Sequence, residues 1–180
     1  MTKIWENLKQ LGFVSDDTVS LFSSETRDNP GLDVLRDNVS EVIFIRDNYV
    51  GDQAYTASEY VQDTPVDERP RSFEDQRNLD RRVSAFKHYA WGKDICDFGC
   101  GAGLFLDAVI GNCSSAIGVE LQTRFLDSMK GRGLPCTDSL DDIDDASLDC
   151  IFSFHVLEHL PEPLEVLNRL QEKLRPGGLL

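Results

Sequence analysis

Residues 97–103 read Asp-Phe-Gly-Cys-Gly-Ala-Gly and follow directly on the apolar pair Ile95-Cys96. The glycines at 99, 101 and 103 alternate with other residues, and an acid stands just before them. Glycines at the end of a short strand permit a tight turn and let the backbone approach a ligand without Cβ clashes. A dinucleotide fingerprint, G-x-G-x-x-G, needs its third glycine at position 104, where the chain has Leu104. A P-loop needs a Lys-Ser or Lys-Thr pair after its last glycine, and none follows. The spacing that remains is G-x-G-x-G, and the residues around it must decide which ligand it serves.

Outward from this loop, apolar runs alternate with helical segments. Ile95 to Phe98 is expected to be a strand, followed by a helix over 104–110 and a second strand over 116–120. A helix over 123–130 stopped by Gly131 comes next, then a short strand over 134–137 and a longer one over 148–154. A helix over 162–174 is expected to be closed by Pro176-Gly177-Gly178. Upstream, Ser72-Phe73-Glu74-Asp75 has the form of a capping box. Leu79, Val83, Phe86 and Ala90 then share one face of a helix that Gly92 stops. Such alternation makes an α/β fold with a Rossmann-like, mostly parallel sheet covered on both faces. Leu179-Leu180 stands where a fifth strand should begin. The sheet is therefore expected to stop before its last strands, as in a piece of a longer protein or one completed by a partner.

Residues 1–70 have a different character and are expected to form a small N-terminal α+β accessory region, with residues 71–180 as the ligand-binding domain. Ile4, Leu8 and Leu11 have helical spacing, without the apolar core of a signal peptide. Segments 32–35 and 41–46 read as a hairpin around Asp37-Asn38, with Val42 to Ile45 as a strand core. An acidic, proline-bearing linker spans 63–70.

With 32 acidic against 18 basic residues, the formal net charge is −14. Such a surface repels phosphate backbones, so no nucleic-acid partner is expected. No run is long enough to span a membrane, and none is expected to do so. The five cysteines, Cys96, Cys100, Cys113, Cys136 and Cys150, form no C-x-x-C pair and sit in or beside apolar runs. They read as buried thiols in a reducing, cytoplasmic compartment, with neither disulfides nor a metal site.

The strand over 116–120 ends in Glu120. In an open α/β sheet its tip lies beside the first strand's tip, where a carboxylate can accept hydrogen bonds from both hydroxyls of a ribose. At this point the sequence resembles the class I S-adenosylmethionine-dependent methyltransferases. The resemblance runs from about Lys93 to Leu180 and rests on D-F-G-C-G-A-G, G-V-E-L, C-T-D-S-L, D-C-I-F-S-F-H-V-L-E-H-L and L-R-P-G-G-L-L, in that order. It implies S-adenosylmethionine as cofactor, bound by Asp97, Phe98, Gly99, Cys100, Gly101, Gly103, Glu120, Leu121, Asp138, Ser139 and Phe154. Asp97 would anchor the loop near the methionyl amino group, and Gly99, Cys100 and Gly101 would offer backbone contacts. Glu120 would hold the ribose hydroxyls, Leu121 would pack on the adenine, and Asp138 would face its amino group. Phe154 and His155 would line the site near the sulfonium.

Of the histidines, His88 reads as structural, and His159 with Glu158 matches the family's recurrent L-E-H, which orders the next turn. His155 follows the strand over 148–154 at the ligand end and is the candidate catalytic base. Some quinone-pathway relatives carry an acid at that position in an E-x-x-E-H near a divalent ion, and the histidine here departs from that pattern. The N-terminal region loosely resembles the small β domain of methyltransferases in sugar and polysaccharide pathways, without that domain's zinc-binding cysteines. The expected function is thus methyl transfer from S-adenosylmethionine to a small metabolite, such as a sugar or sugar-nucleotide. A cofactor-binding but inactive scaffold is the alternative. A homo-oligomer is compatible with either. Neither the acceptor nor the choice among oxygen, nitrogen and carbon can be read from these motifs.

Overall fold

The computed structural model describes residues 4–26, 29–46 and 73–180, apart from the side chain of Glu74. The described residues fall into two compact units, one from residues 1–50 with 159–165 and one from residues 51–158 with 166–180. Ser72 and the expected linker over 63–70 lie outside the described residues.

In the first unit, helix α1 (Ile4–Gln10) accompanies a three-stranded antiparallel sheet of β1 (Val19–Glu25), β2 (Pro30–Asp37) and β3 (Ile43–Ile45), in that spatial order. The expected hairpin is β2–β3, with Leu35 opposite Phe44. Strand β1 was not expected, because Val19 to Glu25 mixes serines with apolar residues and carries no clean alternation. The residue that α1 buries is Trp5, stacked on Phe44 at 5.8 Å between ring centroids, whereas Leu11 lies beyond the helix and is exposed. Asp37 closes the β2–β3 turn by accepting the N–H groups of Val39 (2.9 Å) and Ser40 (2.8 Å) and the Thr18 hydroxyl. These donors, Thr18 first, lower its carboxyl to about 2.

The second unit is a five-stranded parallel sheet. Its strands are β4 (Asp94–Phe98), β5 (Ser115–Val119), β6 (Cys136–Thr137), β7 (Leu148–Ser153) and β8 (Leu174–Leu179), in the order β6-β5-β4-β7-β8. Helices α2 (Phe73–Ala90), α3 (Leu104–Val109) and α4 (Thr123–Gly131), with α5 (Pro163–Lys173) from Val166 onward, complete it. On one face Ala90, Ile95, Leu106, Val109 and Phe152 close into a cluster that Leu79 and Val83 of α2 also join. Cys96, Val119, Leu148, Ile151 and Leu170 pack together on the other face, with Phe98 and Val166 against them. Alternating strand residues feed opposite faces, and burying each large side chain contributes about 1.5–3 kcal/mol.

The helix ends fall close to expectation, with one exception of substance. Pro176-Gly177-Gly178 does not merely close the last helix; it lies inside β8. Helix α5 stops at Lys173, whose ammonium pairs with Asp145 at 2.6 Å, while its last carbonyls receive the N–H groups of Ala146 and Ser147. The glycines are accommodated by a register shift, since Leu148 pairs with Leu174 but Cys150 with Leu179. At the opposite edge only Cys136–Thr137 of the expected third strand pairs.

Below the sheet, Arg175 of β8 spans Asp94 of β4 (2.9 Å) and Asp149 of β7 (3.0 Å), and Asp149 also accepts the Asp94 N–H at 2.9 Å. Ser115 of β5 donates to Asp94 at 2.8 Å, so one polar network ties four strands at their N-terminal ends. No helix among the described residues is long and apolar enough to cross a membrane.

Candidate functional site

The sheet order reverses at β4, with β5 and β6 on one side and β7 and β8 on the other. The crevice over the C-terminal tips at such a switch point is where open α/β sheets bind ligands. The glycine loop leaves β4 at this point. Its Gly99 and Cys100 N–H groups both donate to the Val119 carbonyl at the tip of β5, at 2.8 and 3.2 Å. The Gly101 N–H donates to Glu120 Oε2 at 2.8 Å, and Glu120 Oε1 accepts the Gln122 N–H at 2.9 Å. Three consecutive loop donors are therefore satisfied inside the protein, and the Cys100 and Gly103 carbonyls likewise accept the N–H groups of Gly103 and Asp107, both at 2.9 Å.

Gly99 has φ +71°, and a Cβ there would stand 2.3 Å from Val156 Cγ2, so the turn after β7 seats on the loop only because residue 99 is glycine. At Gly101 a Cβ would meet nothing within 4 Å, which marks the open side of the loop. From behind, Arg132 at the end of α4 donates to the Ala102 carbonyl and reaches Asp107 of α3 at 3.3 Å. The sulfurs of Cys100 and Met129 pack 3.7 Å apart beneath the same loop. Burial pushes the Cys100 thiol far up, so it is a packing group and not a nucleophile.

Asp97 is 2% exposed. Burial raises its carboxyl to about 7, with the Arg82 charge pulling it down and the Glu120 charge pushing it further up. A buried acid poised at that value suits an ammonium group, whose charge offsets the cost of keeping the carboxylate dry. Glu120, pinned by two N–H groups, retains lone pairs for a diol, and Leu121 offers an apolar side chain that is 64% exposed. Together these fit the methionyl ammonium, ribose and adenine of S-adenosylmethionine. Asp138 follows β6 and is exposed, whereas the Ser139 hydroxyl is engaged in accepting the Asp141 N–H at 3.1 Å. The Phe98 side chain packs on the α5 face of the sheet, so only its backbone belongs to the loop.

Phe154 continues β7 and packs among Phe86, Phe105 and Phe152, with centroids at 5.5, 5.0 and 6.2 Å. Arg82 of α2 lies over its ring at 5.0 Å. Next in the chain, His155 adopts φ +57°, rare for a side chain of its size, and turns its Nδ1 to Glu158 Oε1 at 3.4 Å. The Ser153 hydroxyl, also at this tip, is buried with no partner among the described residues. On the β7 side of the switch point a cleft of about 730 Å³ opens between α2 and the β7–β8 face, and both Phe154 and His155 line it.

The structure thus gathers Asp97, Gly99, Cys100, Gly101, Gly103 and Glu120 into one loop-and-tip assembly, with Phe154 and His155 across β4 from Glu120. Arg82, Arg132, Met129 and Val156 were missed in the sequence, because each acts across a long separation and none belongs to a motif. Among the described residues no cluster of three or more His, Cys, Asp or Glu side chains could hold a metal ion.

Comparison with known proteins agrees with the fold. Residues 73–180 match a family model described as a methyltransferase domain. A ubiquinone biosynthesis O-methyltransferase of Idiomarina loihiensis is 30% identical over 98 residues, which cover 49% of this chain and 40% of the relative. One of the same name from Paracidovorax citrulli is 26% identical over 98 residues, covering 48% and 41%. The chain therefore spans well under half the length of these curated relatives. Among solved structures, a SAM-dependent methyltransferase from Archaeoglobus fulgidus aligns with a TM-score of 0.51 at 24% identity, over 58% of this chain and 50% of that one.

Proposed function

The chain belongs to the class I S-adenosylmethionine-dependent methyltransferases, and from that premise we propose that it carries the cofactor-binding part of an enzyme that methylates an oxygen of a small aromatic acceptor. The observation that carries this is the placement of two groups of residues on opposite sides of β4 at the strand tips. The glycine loop, Asp97 and Glu120 stand on the β5 side of β4, and the aromatic cleft ends at Phe154 and His155 on the β7 side.

When bound, S-adenosylmethionine supplies a methyl group on a sulfonium that departs as a neutral thioether. The chain's own work is to hold, orient and deprotonate. Asp97 takes the ammonium, Arg82 stands where a carboxylate can be met, and Glu120 fixes the ribose. His155, with Nδ1 on Glu158, keeps Nε2 for the acceptor hydroxyl and removes its proton as the new O–CH3 bond forms. Glu158 stabilises the resulting imidazolium. The N-terminal residues 1–70 are assigned an accessory role.

Support for oxygen comes from the relatives, which are named for O-methylation in ubiquinone biosynthesis. Support for an aromatic ring comes from the phenylalanine-rich cleft wall. The sugar-pathway acceptor expected from the N-terminal region finds no counterpart among these relatives and is replaced by this assignment. The test is transfer of a labelled methyl group to matched panels of phenols and sugars. Label in the phenols supports the assignment, and label confined to sugars overturns it.

A further inference from the structure

The cleft beside β7 has a charge pattern that composition does not explain. The chain carries 32 acidic and 18 basic residues, yet among the described residues the cleft lining contains Arg81 and Arg82 and no acidic side chain. In so acidic a protein an acid-free wall with two guanidiniums is a local reversal of sign, and such reversals select anions. The two arginines have different surroundings. Arg82 is half-buried, lies over the Phe154 ring and faces the Asp97 charge. Arg81 is exposed at the cleft and makes no ion pair or hydrogen bond with any described residue.

Position along the helix places Arg81 usefully. α2 returns through the turn at Gly92 into β4, so its N-terminal half points to the ligand end of the strands. Arg82 and Phe86, four residues apart, both contact Phe154. Arg81 and Tyr89 lie on the neighbouring stripe, two turns apart along the cleft wall, with Arg81 toward the end that holds His155. An aromatic ring resting on this wall could hold a hydroxyl at His155 and a charged substituent at Arg81.

Resting on the methyl-transfer assignment above, we propose that the acceptor is an aromatic acid, and that Arg81 binds its carboxylate and so selects it over neutral phenols. The planar guanidinium meets a carboxylate in two parallel hydrogen bonds, which fixes the ring's orientation as well as its charge. Being exposed, this contact is weakened by salt.

The experiment titrates 4-hydroxybenzoate and its neutral isostere 4-hydroxybenzamide into the chain saturated with S-adenosylhomocysteine. The acid is expected to bind about tenfold more tightly at low salt, the scale of one charge-assisted contact. Half-molar salt shrinks that preference. Arg81→Gln abolishes it and Arg81→Glu inverts it, with affinity for S-adenosylhomocysteine unchanged in both. Equal binding of the two probes, binding of neither, or a preference that survives Arg81→Gln overturns the assignment of Arg81 while methyl transfer stands. If S-adenosylhomocysteine itself fails to bind, the methyl-transfer assignment falls and this one with it.

Discussion

The Gly101 N–H donates to Glu120 Oε2 across 2.8 Å, so the glycine loop of β4 and the acid at the tip of β5 are one structural unit before any ligand arrives. The other oxygen of Glu120 accepts from Gln122. In Glu120→Gln the side chain must turn its NH2 toward one of these two N–H donors. We expect S-adenosylhomocysteine affinity to fall by about 1–3 kcal/mol, the cost of an unmatched polar group together with the weakened ribose contact. Calorimetric titration of the variant measures it, and unchanged affinity would remove Glu120 from the site.

Gly99→Ala combines a left-handed backbone with a Cβ 2.3 Å from Val156 Cγ2. Left-handed strain of about 1–2 kcal/mol and overpacking of about 1–3 kcal/mol should both appear in the unfolding free energy. Adding Val156→Ala relieves only the second part. Chemical denaturation of the single and double variants reads both, and a double variant no more stable than Gly99→Ala would show that the contact with Val156 is not what excludes a side chain.

Arg132 holds the loop from behind through Ala102 and Asp107. Arg132→Met should lower S-adenosylhomocysteine affinity several-fold, with amide exchange faster in residues 99–103 than in the rest of the sheet. Uniform loss of protection across the sheet would make Arg132 a general stability residue instead.

Arg175 holds Asp94 and Asp149 ionised, and both carboxyls lie below their usual range; Ser115 contributes most at Asp94, and the Asp94 N–H most at Asp149. A depressed carboxyl adds stability that is present above its unfolded value near 3.8 and is lost as pH falls through the folded value. Urea midpoints of the native chain should therefore drop more steeply below pH 4 than those of Arg175→Met. Parallel acid profiles would contradict the network.

How much of this was legible beforehand depended on the range of each interaction. The loop, Glu120 and the strand–helix alternation are written in local spacing, because turn glycines and period-two or period-3.6 patterns act over a few residues. Pro176-Gly177-Gly178 misled as a terminator, since nothing local says that the pairing of β8 with β7 will absorb the extra residues in a register shift. Val19 to Glu25 failed for a similar reason: its strand exists through β2 and not through its own pattern. The side chains that seat the loop, Val156, Met129 and Arg132, arrive from other elements through the tertiary fold, and a single sequence carries no mark of that convergence.

The most direct test of the central claim is the pH dependence of S-adenosylhomocysteine binding by calorimetry, with NAD as control. The buried Asp97 titrates near 7 and must be ionised to meet the ligand's ammonium, with Arg82 and Glu120 as its charged neighbours. The dissociation constant should rise about tenfold from pH 8 to pH 6, and Asp97→Asn should bind weakly with a flat profile. NAD should not bind. Binding of NAD without S-adenosylhomocysteine, or tight pH-independent binding that survives Asp97→Asn, would contradict the account.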